Sequence, residues 1–315
     1  GVSGSAVADA SAIGALLMPW HRRLGYPMAF SAASLASAAT IDIIIPPSIP
    51  LILYALSANT SIAALFYAGI LPGLMLCGGF MVACWWVGKR RNLPRETQSA
   101  DRAAMRRDLL LASPAVLLPV LIVIFLRFGI ATPTEVAVLS TLYAALVSLL
   151  LYRDLTWRRL HVAIVEAGLA TGVVLLVIMA SAAIGWLLTF DQLPQQVVEW
   201  VGRNVDIDWV VILLMNLMML FVGMFIDLPA AVLLLTPVFM PLAQSIGMDP
   251  VQLGIMMVVN LAIGLYTPPV GTTLFITSAL AKVKVGETVK EMVPFYLVAF
   301  VVLGLISYVP AFILR

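Results

Sequence analysis

Charge is scarce in this chain. Only 11% of its 315 residues are Asp, Glu, Lys or Arg, against 62% hydrophobic, and the mean hydropathy is +1.07. That composition excludes an ordinary soluble domain and leaves a polytopic, all-α membrane protein. The 18 Lys and Arg barely exceed the 16 Asp and Glu, so no basic surface is available for nucleic acid. Cysteine is nearly missing: Cys77 and Cys84 stand roughly 10.5 Å apart along one expected helix, too far for a disulfide, and read as small apolar core residues. Histidine is equally rare. His21 and His161 both fall in short basic turns, which leaves no base for an intramembrane nucleophile, and GVSGS at 1–5 departs from GxSxG at its fifth position. A Walker A sequence is absent; GKR at 88–90 lacks the upstream Gly and the Ser/Thr, so no ATP is hydrolysed by these residues. Gly1 is not an initiator Met and no apolar helix or signal peptide precedes GVSGS, so further chain is expected ahead of it.

Long apolar runs are what the sequence has. Stretches of about 20 apolar residues, enough to cross a bilayer, place crossings near 28–57, 62–87, 109–128, 133–152, 162–189, 251–281 and 293–314. Segments 1–18 and 209–245 are interrupted by GVSGSAVAD and GMFIDLP and suit re-entrant hairpins whose irregular tips lie inside protein. Segment 88–108 carries seven basic against three acidic side chains, and 153–161 has Arg153, Arg158 and Arg159 against Asp154; both are expected on the cytoplasmic side. The uncharged 129–132 and the acidic 190–208 fall outside, and the turn at 19–27, with His21, Arg22 and Arg23, falls inside. Glu135, Glu166 and Arg127 sit at expected membrane boundaries, Arg127 with its stem buried and its head toward water.

Two of these crossings carry consecutive prolines at mid-membrane depth, Pro46-Pro47 and Pro268-Pro269. Each proline removes a backbone donor and clashes with the preceding turn, so each pair breaks its helix where lipid offers nothing to the freed carbonyls. The offset between the pairs is 222 residues, and it also maps Pro19 to Pro241, Gly25 to Gly247 and Pro72 to Pro294. Two units therefore share one plan of hairpin, turn, broken helix and closing helix. Five crossings lie between their turns, an odd number, so the second unit is expected to be inverted. The domains read as 1–87, first repeat; 88–189, basic loop and connecting helices; and 190–315, second repeat. In such architectures the broken helices hold substrate and ions near the midplane.

The residues SGSAVADASAIG at 3–14, IPPSIPLILY at 45–54, LFYAGILPG at 65–73 and MVVNLAIGLYTPPVGTTLF at 257–275 resemble the large membrane subunit of TRAP transporters, the tripartite ATP-independent periplasmic uptake systems. The resemblance covers essentially the whole chain. It implies an elevator-type secondary transporter of organic acids in the inner membrane of a bacterium or archaeon, driven by sodium ions and needing no other cofactor. It also implies a small membrane subunit and a periplasmic substrate-binding protein as partners. A stand-alone sodium–dicarboxylate symporter of similar fold would share the same site physics, and a channel is the remaining alternative.

On that resemblance the sodium sites are expected at Ser3, Gly4, Thr40, Asp42 and Pro46 in the first unit and at Asp227, Gly264, Thr267 and Pro268 in the second. Substrate contacts are expected at Ser5, Ser48, Gly223, Gly271, Thr272 and Thr273. Asp42 departs from the glycine of the family pattern and of its repeat mate Gly264, and reads as an added cation ligand or a salt-bridged group. The residues themselves leave alternatives. Ser3, Gly4 and Ser5 can bind an ion or form a small-residue packing seam. Asp227 can coordinate a cation or cap the next half-helix. Thr267, Thr272 and Thr273 can bond a ligand or their own helix, while Asn260 reads as an interhelical hydrogen-bonding residue.

Overall fold

A computed structural model describes residues 4–94, 102–205 and 207–313. Every extended regular element among them is helical: α1 Ala6–Leu24, α2 Met28–Ala38, α3 Ile49–Ala58, α4 Ile62–Arg90, α5 Arg102–Arg127, α6 Pro133–Leu146, α7 Trp157–Phe190, α8 Leu193–Asn204, α9 Asp208–Gly223, α10 Leu228–Ser245, α11 Pro250–Gly264, α12 Thr272–Ala281, α13 Val285–Glu291 and α14 Val293–Tyr308. Five helical stretches are long and apolar enough to cross a membrane: Ile62–Arg90, Met105–Arg127, Pro133–Leu151, Trp157–Phe190 and Leu228–Ser245. The pair α13 and α14, bent by 57°, adds a sixth if counted as one span. The protein is thus a multi-pass membrane protein.

The helix boundaries follow from local chemistry. Ser5, Ser48 and Ser61 each cap a helix by accepting the amide hydrogen of the third residue on, and Asp249 caps α11 through the Val251 amide; each such cap satisfies one of the four donors a helix start leaves open. α1 runs on through Pro19 to Leu24 and stops at Gly25, φ 77°. The turn expected over 19–27 is therefore shorter, because a proline within a helix costs one bond without ending it when the flanking turns pack well. Likewise α10 passes Pro241 and ends at Ser245, and the acidic stretch 190–208 contains α8.

The backbone forms two compact units, one comprising Gly1–Arg95 with Ser181–Arg315 and the other Glu96–Ala180. In the latter, α5 and α6 pack together, with the Tyr143 hydroxyl donating to the Pro114 carbonyl (3.0 Å) and the Tyr152 hydroxyl to the Leu111 carbonyl (2.6 Å). Glu135 is committed to a capping box: its carboxylate accepts from the Thr132 amide at 2.7 Å while the Thr132 hydroxyl caps the Glu135 amide.

In the larger unit the 222-residue offset reappears as structure. Ala6 and Leu228 open α1 and α10, Gly25 and Gly247 both take the left-handed conformation, and Pro46-Pro47 and Pro268-Pro269 are both cis. The packing is reciprocal: α1 lies against α12 and α10 against α3, while α2 meets α12 and α11 meets α3. The core centres on α11, whose residues Leu253–Gly264 are all buried.

Candidate functional site

Each helix break is closed by hydroxyls from nearby in the chain. At the first, the chain leaves α2 through Thr40, passes the cis Pro46-Pro47 bond and enters α3. Ser48 caps α3 and also donates to the Ile43 carbonyl, and the Ile44 carbonyl faces α4 so closely that a methyl on Gly69 would stand 2.6 Å from it. At the second, the Leu265 carbonyl accepts from both the Thr273 amide (3.0 Å) and the Thr273 hydroxyl (2.9 Å), and the Tyr266 carbonyl accepts from the Tyr296 hydroxyl (2.9 Å). The carbonyls freed by the prolines are thus partly satisfied within the fold, as burial demands. Thr40 and Thr267 bond their own helices, to the Ser37 carbonyl (2.7 Å) and the Ile263 carbonyl (2.6 Å).

The hairpin tips meet these breaks. At Gly4, φ 67°, a side chain would come within 3.0 Å of the Pro47 carbonyl oxygen, so glycine is required both by backbone conformation and by the approach of tip to break. The Ser5 amide then donates to Asp42 Oδ2 at 3.0 Å, which joins the start of α1 to the buried carboxylate that ends the helical turn after α2. In the second unit, Gly223 at the end of α9 lies against Gly264 at the end of α11, where a methyl on Gly264 would be 2.5 Å from the Gly223 carbonyl oxygen.

The expected site residues therefore fall into groups. Gly4, Ser5, Asp42, Pro46 and Ser48 converge on the first break; Gly223, Gly264, Thr267, Pro268, Gly271, Thr272 and Thr273 gather around the second. Ser48 and Thr273 are fully buried with their hydroxyls engaged. Thr272, the first residue of α12, keeps a buried hydroxyl oxygen with no partner among the described residues. Asp227 occupies the cap position of α10 but makes no side-chain cap bond, and it is exposed. Ser3 lies outside the described residues.

Asn260 proves interhelical, donating to the backbone carbonyl of Asn216 (2.9 Å) and to its Oδ1 (2.8 Å), and Asn216 donates on to Ser307 Oγ (3.2 Å). Asn216 was not singled out from the sequence; an amide in the middle of an apolar helix is the signal that would find it. Asp9, in the first turn of α1, was passed over likewise. Among the described residues no cluster of His, Cys, Asp and Glu has the make-up of a metal centre.

Comparison with known families adds the last observations. Residues 1–312 match the family model of the tripartite ATP-independent periplasmic transporter, DctM component. The chain is 56% identical over 311 residues to the uncharacterized protein y4mL of Sinorhizobium fredii, covering 99% of this chain and 74% of that one. It is 38% identical over 313 residues to the 2,3-diketo-L-gulonate TRAP transporter large permease protein YiaN of Escherichia coli, covering 99% and 73%. To the C4-dicarboxylate TRAP transporter large permease protein DctM of Pseudomonas aeruginosa it is 37% identical over 313 residues, covering 98% and 72%.

Proposed function

We infer function from a firm premise: the chain belongs to the tripartite ATP-independent periplasmic transporters as a DctM component, the large membrane subunit. It is a transporter subunit and not an enzyme. We propose that it takes up an organic acid across the inner membrane by coupling to sodium, receives that acid from a periplasmic binding protein, and works with a small membrane subunit. Two of its relatives are named for a diketogulonate and for C4-dicarboxylates, all carboxylates, which fits helix N-termini facing a negative group.

The observation that carries this reading is the pair of helices broken at Pro46-Pro47 and Pro268-Pro269, with Gly4 ahead of α1 packed against the Pro47 carbonyl at the first and Gly223 at the end of α9 packed against Gly264 just before the second. Irregular backbone at membrane depth is tolerated where it lines a protein cavity, and its dipoles then suit an anion at a helix start and a cation at carbonyl ends. The reciprocal packing of α1 with α12 and α10 with α3 supports an inverted repeat. Its two hairpins would open alternately as a mobile body carries the site across the membrane. Sodium would bind near Gly4, Thr40, Asp42 and Pro46, with Ser3, and near Asp227, Gly264, Thr267 and Pro268. The acid would meet Ser5, Ser48, Gly223, Gly271, Thr272 and Thr273, with the unpartnered Thr272 hydroxyl its first donor.

Uptake by proteoliposomes holding both membrane subunits, supplied with binding protein and organic acid, tests the proposal. Uptake should need an inward sodium gradient and ignore ATP. Full uptake without sodium removes the coupling ion, and full uptake without binding protein makes the chain a stand-alone symporter.

A further inference from the structure

The peptide unit joining Tyr266 to Thr267 is held at both ends. It lies beyond the end of α11, just ahead of the cis Pro268-Pro269 bond. Its N–H, on Thr267, donates to the Gly264 carbonyl at 3.0 Å, and its carbonyl, on Tyr266, accepts the Tyr296 hydroxyl at 2.9 Å. A peptide unit is planar, so anchors on its two opposite edges fix its orientation, and with it the direction in which the chain runs on into Thr267 and Pro268. The neighbouring groups are engaged within the break itself: the Thr267 hydroxyl donates to the Ile263 carbonyl and the Thr273 hydroxyl to the Leu265 carbonyl.

Tyr296 reaches the break from outside. Among the described residues it is the only side chain beyond 263–273 that hydrogen-bonds to residues 264–271. It stands in the first turn of α14, where its ring stacks on Tyr266 at 5.5 Å between centroids and on Phe300 at 6.1 Å. Its neighbour Phe295 is fully buried against Phe30 (6.0 Å) and Phe80 (5.7 Å), so core packing fixes the point from which the phenol extends. Side chains locked in this way are what hold a binding site to its geometry.

The other copy of the plan breaks its helix without such a strut. At the 222-residue offset, Tyr266, Thr267, Tyr296 and Phe300 become Ile44, Ile45, Leu74 and Gly78. The Ile44 carbonyl lies against α4 at Gly69 instead, and Leu74 is exposed. A phenol is therefore not needed to break and resume a helix at a Pro-Pro pair; it is an addition particular to the second break.

We propose that Tyr296 is a positioning residue of the second ion site, its hydroxyl orienting the Tyr266–Thr267 peptide so that the oxygens of Thr267 and Pro268 meet the cation. The inference rests on the sodium-coupled reading above and adds to it a residue that touches no ion. Partners standing behind the ligands orient them, and losing such a partner costs a metal site about 10–100-fold in affinity or activity.

Tyr296→Phe tests it, because the change keeps the stacked ring and removes the one donor. Sodium dependence is read twice. One readout is uptake by proteoliposomes that hold both membrane subunits and are supplied with binding protein and organic acid; the other is thermal stabilisation of the purified membrane subunits by sodium over choline, which needs no transport. The variant should need about tenfold more sodium in both, yet match the parent's uptake rate and half-saturating organic acid once sodium saturates. Tyr308→Phe removes a phenol from the far end of the same helix, where it donates to the Trp209 carbonyl at 3.2 Å, and should leave both curves in place. Parent-like sodium curves for Tyr296→Phe, with or without a lower melting temperature in choline, overturn the positioning role and make the bond a structural one. Should that variant fold poorly, a ring-fluorinated tyrosine at position 296 keeps the bond and strengthens the donor: a shifted sodium curve with parent-like melting supports the role, and an unshifted curve overturns it. Parent uptake that ignores sodium removes the coupling ion and this role with it, whereas sodium-driven parent uptake with an unshifted Tyr296→Phe curve removes Tyr296 alone.

Discussion

Gly223 and Gly264 meet backbone to backbone: a methyl group on Gly264 would stand 2.5 Å from the Gly223 carbonyl carbon and oxygen and 2.8 Å from its Cα. Neither α9 nor α11 can retreat without disturbing the Asn216–Asn260 pair, two turns before Gly223 and one before Gly264. Gly264→Ala should therefore destabilise the purified protein by about 1–3 kcal/mol, the usual cost of overpacking, and depress uptake, whereas Gly78→Ala, with nothing within 4 Å, should be silent. Thermal unfolding in detergent beside an uptake assay checks both; an unperturbed Gly264→Ala protein would mean that the tip is not clamped to the break.

The amide chain Asn260–Asn216–Ser307 ties α11, α9 and α14 together at membrane depth. Bonds of this kind average below about 1 kcal/mol within a membrane, because the unfolded reference also finds partners. Asn216→Ala and Asn260→Ala should each cost about 1 kcal/mol, and the double variant should cost clearly less than their sum, since either change alone removes the shared bond. Additive losses in unfolding titrations would show that the two amides act separately.

Proline and glycine made the plan of the larger unit legible in the sequence. They act on the backbone through sterics that no packing can hide, so the 222-residue offset found both breaks, the matched starts of α1 and α10 and the paired turns at Gly25 and Gly247. Hydroxyl roles were not legible. Ser48 and Thr273 donate to the Ile43 and Leu265 carbonyls, bonds that depend on how the chain turns at each break and that the letters do not reveal. The contact of Ser5 with Asp42 was hidden for another reason: 37 positions separate the two, and only packing brings the start of α1 to that carboxylate. The amphipathic α8 was masked by the charge of its segment, which reads as a loop.

The basic turn at 153–161 and the acidic stretch at 190–208 predict the orientation, with Arg158 on the cytoplasmic side and Asp191 outside. In a chain with both native cysteines replaced, Arg158→Cys should resist an impermeant thiol reagent added to intact cells and Asp191→Cys should react. Reaction at position 158 would reverse the orientation.

Asp227 holds the cap position of α10 without making a cap bond, and its side chain is exposed at the tip between α9 and α10. Near the bilayer midplane, where the sequence predicts this tip, a charge costs at least about 2.5 kcal/mol on insertion scales and calls for a partner that offsets it. A structural partner would make the charge necessary for folding; a transported cation would make it necessary only for coupling. Asp227→Asn keeps the size and one oxygen, and asparagine caps as well as aspartate, so the variant should insert normally and unfold within about 0.5 kcal/mol of the parent, as surface changes do. If the carboxylate serves sodium, half-maximal uptake should need about tenfold more of the ion, equivalent to about 1.4 kcal/mol of lost affinity. Sodium titrations of uptake at matched membrane abundance read this directly. A parent-like sodium curve would take Asp227 out of the ion site, and a misfolded variant would assign its charge to structure.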